Sequence, residues 1–257
     1  MPVMNAFRER LESGEPIFGA RASSYAPSLI EVYGQLDLDF VRIDLERPGP
    51  SPWNSEYLET LAKTASLADI ELLVRLPDSS PATIRRILDT GVRNLLIPRV
   101  ENAEEVREAI KATQFSYDGG PGERSFSGWR ATEYSTDVDP AAYDKTVCLG
   151  IMIETASAVE QAEEILSVPD LGFVFIGPND LSVQYGIPGE RNVPTISEAV
   201  DRVKRIAQAE NVPLGAAGHD PAKANDLLDD GYHMIRILDE FDAIQTVFHD
   251  RWSAVNH

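Results

Sequence analysis

Short apolar runs rich in valine, isoleucine and leucine alternate along the chain with longer stretches in which apolar residues recur at helical spacing. This alternation is typical of repeated strand and helix units that build a parallel sheet. Eight strands are predicted, at 17–21, 40–45, 71–76, 94–100, 147–153, 173–177, 213–217 and 233–238. Helices are predicted at 55–68, 81–90, 103–113, 157–166, 197–210 and 221–230.

Eight such units either close into a (β/α)8 barrel or lie in an open doubly wound sheet. The open sheet usually has a glycine-rich first turn, and neither GxGxxG nor GxxxxGKS/T occurs in the sequence. We therefore predict an α/β fold with a single (β/α)8 TIM barrel over residues 1–257. The long irregular segment 115–146 is of the kind that forms a lid, a binding loop or an oligomer contact.

The charge balance argues against two classes of partner. The chain has 42 acidic and 23 basic residues, and its formal net charge of −19 repels nucleic acid and anionic membranes. No apolar run approaches the roughly 20 residues that span a bilayer. The N-terminal stretch lacks the apolar core of a secretory signal, so we expect a cytoplasmic protein.

The same charge balance supports a hypothesis about the cell that makes the protein. Only five of the basic residues are lysine, and the acids are spread along predicted helices. Such a surface repels itself unless salt screens it, so we hypothesise a halophilic, salt-rich cytosol. The alternative is an ordinary acidic enzyme, which a stability that stays constant from dilute buffer to molar KCl would support.

Two carboxylates follow apolar strands at what should be the functional end of the barrel. Glu154 follows the run GIMI, and Asp180 follows FVFIG by a short turn. In a barrel, functional residues lie at the carboxyl ends of the strands. Two oxygen ligands with positions left for water and substrate suit Mg²⁺ or Mn²⁺, whereas Cys148 in an apolar run and four unclustered histidines do not suggest zinc. The alternative is that Glu154 and Asp180 cap the following helices.

Basic residues narrow the chemistry further. Arg75 ends the third strand and offers a planar donor fork for a carboxylate or an enolate, while Arg42, Arg99 and Arg236 are expected to pair with the rim acids. A lysine that forms a Schiff base must lie at the rim, and none of the five lysines is predicted there. Carbon–carbon lyase chemistry would therefore need a metal.

Four motifs resemble a known family in order and spacing. They are LLVRLP, ILDTGVRNLLIPRVENAEEVREAIKAT, MIETASAVEQAEEIL and VFIGPNDLS. Together they resemble the class II pyruvate aldolases of the HpcH/HpaI (2,4-dihydroxyheptenedioate aldolase) type, over about residues 5–245. The resemblance implies a phosphoenolpyruvate/pyruvate-domain-like barrel.

The resemblance also implies roles for individual residues. Glu154 and Asp180 would bind a divalent metal, Mg²⁺ or Mn²⁺ with Co²⁺ as a further choice, that chelates pyruvate. The turn at Gly177, Pro178 and Asn179 would bind the pyruvate carboxylate. Arg75 would stabilise the enolate. The expected function is thus a metal-dependent aldehyde-lyase that acts on a small 2-oxo acid and an aldehyde.

The chain departs from the family pattern at three places. The family's DxEH motif carries a general-base histidine, supported by an aspartate that matches Asp89, but here Arg47 stands in place of that histidine. Arginine stays protonated and cannot accept the proton. Met152 replaces a substrate-binding glutamine, and Arg124 is followed by serine where the family usually has glycine; the resemblance implies that both Met152 and Arg124 contact the substrate. Arg47 could instead pair with Asp89 or bind a distal carboxylate or phosphate of the substrate.

Three functions remain open at this point. Aldol cleavage could use another base, either a hydroxide held by the metal or His219 at the end of the seventh strand. A 2-oxo acid such as oxaloacetate could lose CO₂ without any base. A barrel that has lost catalysis could simply bind a 2-oxo acid.

The resemblance finally implies an assembly. Members form homo-hexamers with exchanged C-terminal helices, so we expect a hexamer or trimer in which 241–250 contacts a neighbouring subunit. The motifs do not determine the acceptor aldehyde, which we expect to be read by loops such as 115–146 and by neighbouring subunits.

Overall fold

Eight parallel strands pair in chain order and close between the first and the last, which confirms the predicted (β/α)8 barrel. The computed structural model describes residues 5–47, 49–117, 119–120, 122–126, 130–132, 134, 137 and 139–255. The strands are β1 (Ile17–Arg21), β2 (Phe40–Asp44), β3 (Glu71–Arg75), β4 (Asn94–Ile97), β5 (Cys148–Ile153), β6 (Phe173–Ile176), β7 (Leu214–Ala217) and β8 (Met234–Asp239).

Helices precede, separate and follow these strands. They are α1 (Ala6–Ser13), α2 (Pro27–Gly34), α3 (Ser55–Leu67), α4 (Pro81–Asp89), α5 (Ala103–Thr113), α6 (Pro140–Asp144), α7 (Ala156–Glu160), α8 (Ala162–Leu166), α9 (Pro178–Gln184), α10 (Pro194–Ala209), α11 (Pro221–Asp229) and α12 (Glu240–Ser253). A short 3₁₀ helix spans Arg130–Thr132. The predicted helix 157–166 is divided into α7 and α8, and α1, α2, α6 and α9 lie outside the predicted set.

The strands are apolar because both of their faces are buried. On β3, Leu73 packs inside the barrel, while Leu72 and Val74 pack outward against the helices. The amino end of the interior is plugged by α1, whose Phe7 ring lies edge-on to Phe40 at 5.5 Å. Because apolar side chains fill this end, the polar space of the barrel lies at the carboxyl ends of the strands.

The segment 115–146 lies at the end opposite to that polar space. It joins α5 to β5, and a connection from a helix to the next strand lies at the amino ends of the strands. It contains a bridge between Phe115 and Arg124, the 3₁₀ helix and α6, while residues 118, 121, 127–129, 133, 135–136 and 138 lie outside the described ones. The described part of the segment therefore forms no lid over the rim of the same chain, and its role as a binding loop stays a prediction. An oligomer contact stays a prediction.

The C-terminal helix α12 is longer than the predicted 241–250 and is largely exposed. Its first residue, Glu240, is buried and accepts a hydrogen bond of 2.8 Å from the Tyr33 hydroxyl. Large apolar side chains beyond it are exposed, namely Phe241, Ile244, Val247, Phe248 and Trp252. Exchange of this helix between subunits stays a prediction. In the described part of the chain, no helix is long and apolar enough to cross a membrane.

Candidate active site

A cavity of about 980 Å³ opens at the carboxyl ends of the strands. Residues that the sequence analysis selected line it, namely Arg47, Arg75, Met152, Gly177, Pro178, Asn179, Asp180 and His219. They come from the ends of β2, β3, β5, β6 and β7, so closure of the barrel brings together residues that are far apart in the sequence. The cavity is the candidate active site.

Glu154 is a buried carboxylate with one unused oxygen. It directly follows β5 and is 2% exposed. Its Oε1 accepts a hydrogen bond of 2.9 Å from the Arg99 backbone N–H, whereas its buried Oε2 has no hydrogen-bond partner among the described residues. Burial, followed by the negative charges of Asp180 and Glu46, raises the pKa of Glu154 to about 7. The site therefore favours a positive charge beside this carboxylate.

The helix-capping alternative is wrong for Glu154. Thr155 is the N-cap of α7, and its hydroxyl accepts a hydrogen bond of 3.1 Å from the Ala158 backbone N–H. Asp180 lies in the first turn of α9, where a carboxylate also interacts favourably with the helix dipole. Helix stabilisation thus explains part of the position of Asp180 and none of that of Glu154.

Backbone geometry on both sides shapes the Glu154 pocket. Arg99 lies just beyond β4 with a positive φ of 54°, a conformation that few non-glycine residues adopt, and this turns its N–H toward Glu154. A Cβ on Gly177 would lie 2.9 Å from Glu154 Oε2, so only glycine fits there. The Arg99 side chain is exposed and makes no ion pair with a described residue, so its predicted pairing is wrong.

The donor set fits a hard divalent cation that is completed by water and substrate. Within the described ranges, no group of three or more His, Cys, Asp or Glu side chains is placed to hold a metal ion. Glu154 and Asp180 therefore offer two carboxylates, and the buried Cys148 belongs to the core. Oxygen ligands with open positions suit Mg²⁺ and Mn²⁺ better than zinc.

Arg75 is held in place by two carboxylates. Its Nε donates to Asp44 Oδ1 at 3.0 Å, its Nη2 pairs closely with Asp44 Oδ2, and its Nη1 lies 2.7 Å from Glu46 Oε2. Nη1 also lies 3.8 Å from the sulfur of Met152. Burial lowers the pKa of Arg75, but the hydrogen bonds and charges of Asp44 and Glu46 outweigh burial and raise it. The guanidinium is thus fixed, charged and directed at the cavity floor.

The sequence profile of the HpcH/HpaI aldolase/citrate lyase family matches residues 21–242. The chain belongs to this family. A hydroxypyruvate/pyruvate aldolase of Cupriavidus necator is 32% identical over 232 residues, 90% of this chain and 85% of the relative. A 4-hydroxy-2-oxo-heptane-1,7-dioate aldolase of Klebsiella pneumoniae is 33% identical over 219 residues, 81% of this chain and 78% of the relative. These relatives are named aldolases, which supports lyase chemistry.

A solved structure agrees over nearly the whole chain. An HpcH/HpaI aldolase/citrate lyase family protein from Burkholderia cenocepacia superposes with a TM-score of 0.90 at 25% identity. The match covers 97% of this chain and 98% of the other. The resemblance inferred from the four motifs is therefore confirmed, and so is the barrel.

Arg47, at the position of the family's histidine, faces Asp180 and Glu46 and not Asp89. Its Nη2 lies 3.5 Å from Asp180 Oδ1, its Nε lies 3.9 Å from Glu46 Oε2, and its side chain is 56% exposed. Asp89 ends α4, five residues before β4 begins, and so lies at the amino end of the barrel. The predicted pair of Arg47 with Asp89 is therefore wrong within the chain, while a supporting role of Asp89 in the site stays a prediction.

Asp89 pairs instead with Arg124, which also lies away from the cavity. Arg124 Nη2 donates to Asp89 Oδ1 at 2.6 Å. The guanidinium carbon lies 4.5 Å from the centre of the Phe115 ring and 5.5 Å from that of Tyr143. Arg124 is 2% exposed, so the expected substrate contact is wrong for the cavity of the same chain.

His219 follows β7, and its side chain borders the cavity. Partial burial, together with the positive charges of Arg236 and Arg191, lowers the pKa of His219 below its ordinary value. The imidazole is therefore neutral at neutral pH and able to accept a proton. Its role as a base stays a prediction.

Sequence reasoning missed the carboxylates that fix Arg75. Asp44 is not among the residues selected from the sequence, yet it lies directly beside Arg75 in the pairing of β2 with β3. The signal was available, because inward residues alternate along each strand and neighbouring strand ends meet. Assigning the register from the apolar positions would have paired the two.

Proposed function

We propose that the protein is a divalent-metal-dependent carbon–carbon lyase of the class II aldolase type, which forms pyruvate enolate from a larger 2-oxo acid. The observation that carries this proposal is the buried Glu154 carboxylate, whose Oε2 has no described partner, close to the charges of Asp180 and Arg75. A buried carboxylate without a counter-charge is costly unless a cation joins it. Family membership supports the same reading.

Glu154 and Asp180 would hold Mg²⁺ or Mn²⁺, and Co²⁺ would suit the same oxygen ligands. When bound, the ion supplies Lewis-acid polarisation of the 2-oxo group. The backbone provides partners for the neighbouring substrate carboxylate. Gly177 donates its N–H to Ile153 and Pro178 has none, so the free donors at the start of α9 are those of Asn179 and Asp180.

Arg75 stabilises the charge that develops on the enolate oxygen. Two of its N–H groups donate to Asp44 and its Nη1 forms an ion pair with Glu46, which prevents the guanidinium from turning. Its remaining Nη1 hydrogen faces Met152, whose thioether is only a weak acceptor. An enolate oxygen is a much stronger acceptor, so this donor gains most when the negative charge forms.

Aldol cleavage also needs a group that removes the proton from the substrate hydroxyl. As that proton leaves, the carbon–carbon bond breaks, the aldehyde is released and the bonding electrons move to the enolate oxygen. Arg47 cannot accept the proton. His219 can, because its imidazole is neutral and borders the same cavity.

Decarboxylation is the second candidate, and the contact of Arg47 with Asp180 favours it. In a 3-carboxylated 2-oxo acid, loss of CO₂ leaves the bonding electrons on the enolate without removal of any proton. Protonation of the enolate carbon then gives pyruvate. A cation at position 47 is compatible with this reaction and offers a contact for the departing carboxylate.

One set of assays tests both candidates. Proton exchange at C3 of pyruvate, aldol cleavage of 4-hydroxy-2-oxo acids and decarboxylation of oxaloacetate are measured with Mg²⁺ or Mn²⁺ and after EDTA treatment. We expect Glu154→Gln to reduce Mg²⁺ affinity, measured by calorimetry, by at least about tenfold and to abolish exchange. Glu12→Gln, an exposed residue of α1 at the other end of the barrel, is the matched control and should retain both.

The outcomes separate the candidates. Exchange and cleavage that EDTA and Glu154→Gln leave unchanged would overturn the metal-dependent proposal. Decarboxylation without aldol cleavage would select the second candidate. Tight binding of pyruvate or oxalate without any turnover would identify a 2-oxo-acid-binding barrel instead of a lyase.

A further inference from the structure

Three arginines line the side of the cavity formed by β1, β2 and β8. Arg21 and Arg42 are direct neighbours in the pairing of β1 with β2. Arg236 lies on β8, opposite Gly19 of β1 and Ala217 of β7. Because both of these neighbours are small, the space beside the three guanidinium groups is not filled by side chains from the adjoining strand positions.

Arg42 is a buried charge without an acidic partner. It is 5% exposed, and its Nε is buried without a hydrogen-bond partner. Its guanidinium carbon lies 5.9 Å from the centre of the Phe175 ring. Across the part of the chain that the structure describes, no carboxylate forms an ion pair with it. The expectation that Arg42 pairs with a rim acid is therefore wrong.

The nearby carboxylates do not balance the cluster. Asp239 serves two of the arginines, pairing closely with Arg21 and lying 3.8 Å from Arg236 Nη1. Asp44 is already engaged by Arg75 through both of its oxygens. Three arginines thus share one carboxylate, which leaves a surplus of positive charge beside the cavity. A buried charge of this kind is costly in the absence of an anion.

The electrostatics of the cluster agree with this geometry. Burial, followed by the positive charges of Arg236 and Arg75, lowers the pKa of Arg42 to about 9. The guanidinium still carries its charge at neutral pH, but its neighbours repel it. A bound anion would offset the effects of burial and of the neighbouring positive charges on the pKa of Arg42.

The arginine cluster lies close to Glu154 and Asp180, the predicted metal ligands. Phe175, over which Arg42 lies, is two residues before Gly177 and pairs with Met152 on β5. Met152 in turn contacts Arg75. A substrate that places its 2-oxo group near Glu154 and Asp180 therefore extends toward the arginines if its other end is also anionic.

We propose that Arg42, Arg236 and Arg21 form a second anion subsite, which selects substrates that carry a carboxylate or phosphate in addition to the 2-oxo acid group. The first anion is the 2-oxo acid carboxylate, so the assignment of substrate class rests on the proposed function. The subsite itself rests only on the surplus of guanidinium groups at this wall, where Arg42 and Arg236 are largely buried and Arg21 is partly exposed. Recognition is by charge-assisted, bidentate hydrogen bonds.

Binding without turnover tests the subsite. Calorimetry with Mg²⁺ present compares 2-oxoglutarate and 2-oxoadipate, which carry a second carboxylate, with uncharged-tail 2-oxohexanoate. We expect the wild-type protein to bind at least one of the two diacids about 10- to 100-fold more tightly than 2-oxohexanoate. Arg42→Met should reduce this preference to within about threefold, and Arg236→Met should do the same if Arg42→Met fails to fold.

A matched control variant is available outside the cavity. Arg86→Met removes the same charge and the same kind of contact, because the Arg86 guanidinium carbon lies 5.0 Å from the centre of the Trp53 ring. It should leave the preference unchanged. Aldol acceptors then distinguish the two anions: succinic semialdehyde is compared with butanal, and glyceraldehyde 3-phosphate with glyceraldehyde, by kcat/KM at constant ionic strength.

The two proposals fail in different ways. Equal affinity for the diacids and 2-oxohexanoate, or a preference that survives both Arg42→Met and Arg236→Met, would overturn the second subsite even if the protein is an active lyase. Absence of proton exchange and of Mg²⁺-dependent 2-oxohexanoate binding would overturn the lyase proposal. An arginine-dependent preference for diacids would support the subsite in either case.

Discussion

Two arginine–aspartate pairs, each with a buried arginine, lie at opposite ends of the barrel. Arg75 and Asp44 lie at the carboxyl end, and Arg124 and Asp89 at the amino end. The two arginine side chains are almost equally buried, at 7% and 2% exposure. Arg75 nevertheless keeps a donor facing the cavity, whereas Arg124 is covered by the rings of Phe115 and Tyr143.

The difference shows that the role of such an ion pair depends on its position in the barrel. Residues that line the cavity at the carboxyl ends of the strands can contact substrate, while residues at the amino ends of the strands stabilise the fold. Arg75 lies in the motif LLVRLP, and Arg124 is compared with the arginine of an Arg-Gly pair in the aldolase family. Motif matching alone therefore assigned both to substrate, and the fold supports that role for Arg75 only.

The largest effect is expected at Arg75. Arg75→Lys keeps a positive charge but loses the fork that Asp44 and Glu46 hold, so its donor no longer reaches the enolate oxygen. We expect kcat to fall about 10²- to 10³-fold, while calorimetric Mg²⁺ affinity changes less than about threefold. A variant with unchanged kcat would remove Arg75 from the proposed chemistry.

The corresponding change at the other end should affect folding and not turnover. Arg124→Met removes the ion pair with Asp89 and the contacts with two aromatic rings. We expect the loss of these contacts to lower the free energy of unfolding by about 2–4 kcal/mol. Urea denaturation measures this loss, and kcat of the folded fraction should stay within about threefold of wild type. A folded variant that has lost turnover would instead place Arg124 in the site of a neighbouring subunit.

Much of this contrast could be predicted from the sequence. The period of apolar residues identified the barrel, and the carboxylates after two apolar runs identified Glu154 and Asp180 as neighbours. The location of Arg124 was harder, because the irregular segment 115–146 has no apolar period that would relate it to either end of the barrel. Its place follows from topology, since the segment joins a helix to a strand.

A third change tests the departure at the rim itself. Arg47→His introduces a side chain that can accept a proton beside Asp180, where the family motif has its base. We expect the rate of aldol cleavage to rise by about 10- to 100-fold, with oxaloacetate decarboxylation unchanged or lower. Cleavage no faster than in the wild type, in a variant that still binds Mg²⁺, would show that Arg47 does not limit the aldol reaction.

The unpaired state of Arg42 could not be predicted in the same way. Alternation along β2 places Arg42 inside the barrel with Asp44, and the sequence therefore suggested a neutral pairing. The structure gives Asp44 to Arg75 on the neighbouring strand, because these two residues are in register. The ion pairs that form inside the barrel depend on how far each charged side chain reaches toward its neighbours. The alternation of residues along one strand contains no information on these distances.

The smallest effect concerns Asp144, beside Arg124 at the amino end. Burial raises the pKa of Asp144 from 3.8 to about 6, although the Phe115 N–H, which donates to Oδ1 at 3.0 Å, and the charge of Arg124 lower it. The folded state therefore binds this proton more tightly than the unfolded state does. The resulting stability is complete below about pH 4 and is lost as the pH rises through about 6.

Asp144→Asn keeps the acceptor for Phe115 and removes this titration. After allowance for the partial exposure of the side chain, we expect the variant to be about 1 kcal/mol more stable than wild type at pH 7.5, and no more stable than wild type at pH 4. Urea denaturation across this range measures the difference, and kcat should not change because the residue lies far from the cavity. If the difference in stability between Asp144→Asn and wild type is the same at both pH values, Asp144 is not protonated in the folded protein at pH 4. The amino end of the barrel would then lack the pH response that burial predicts.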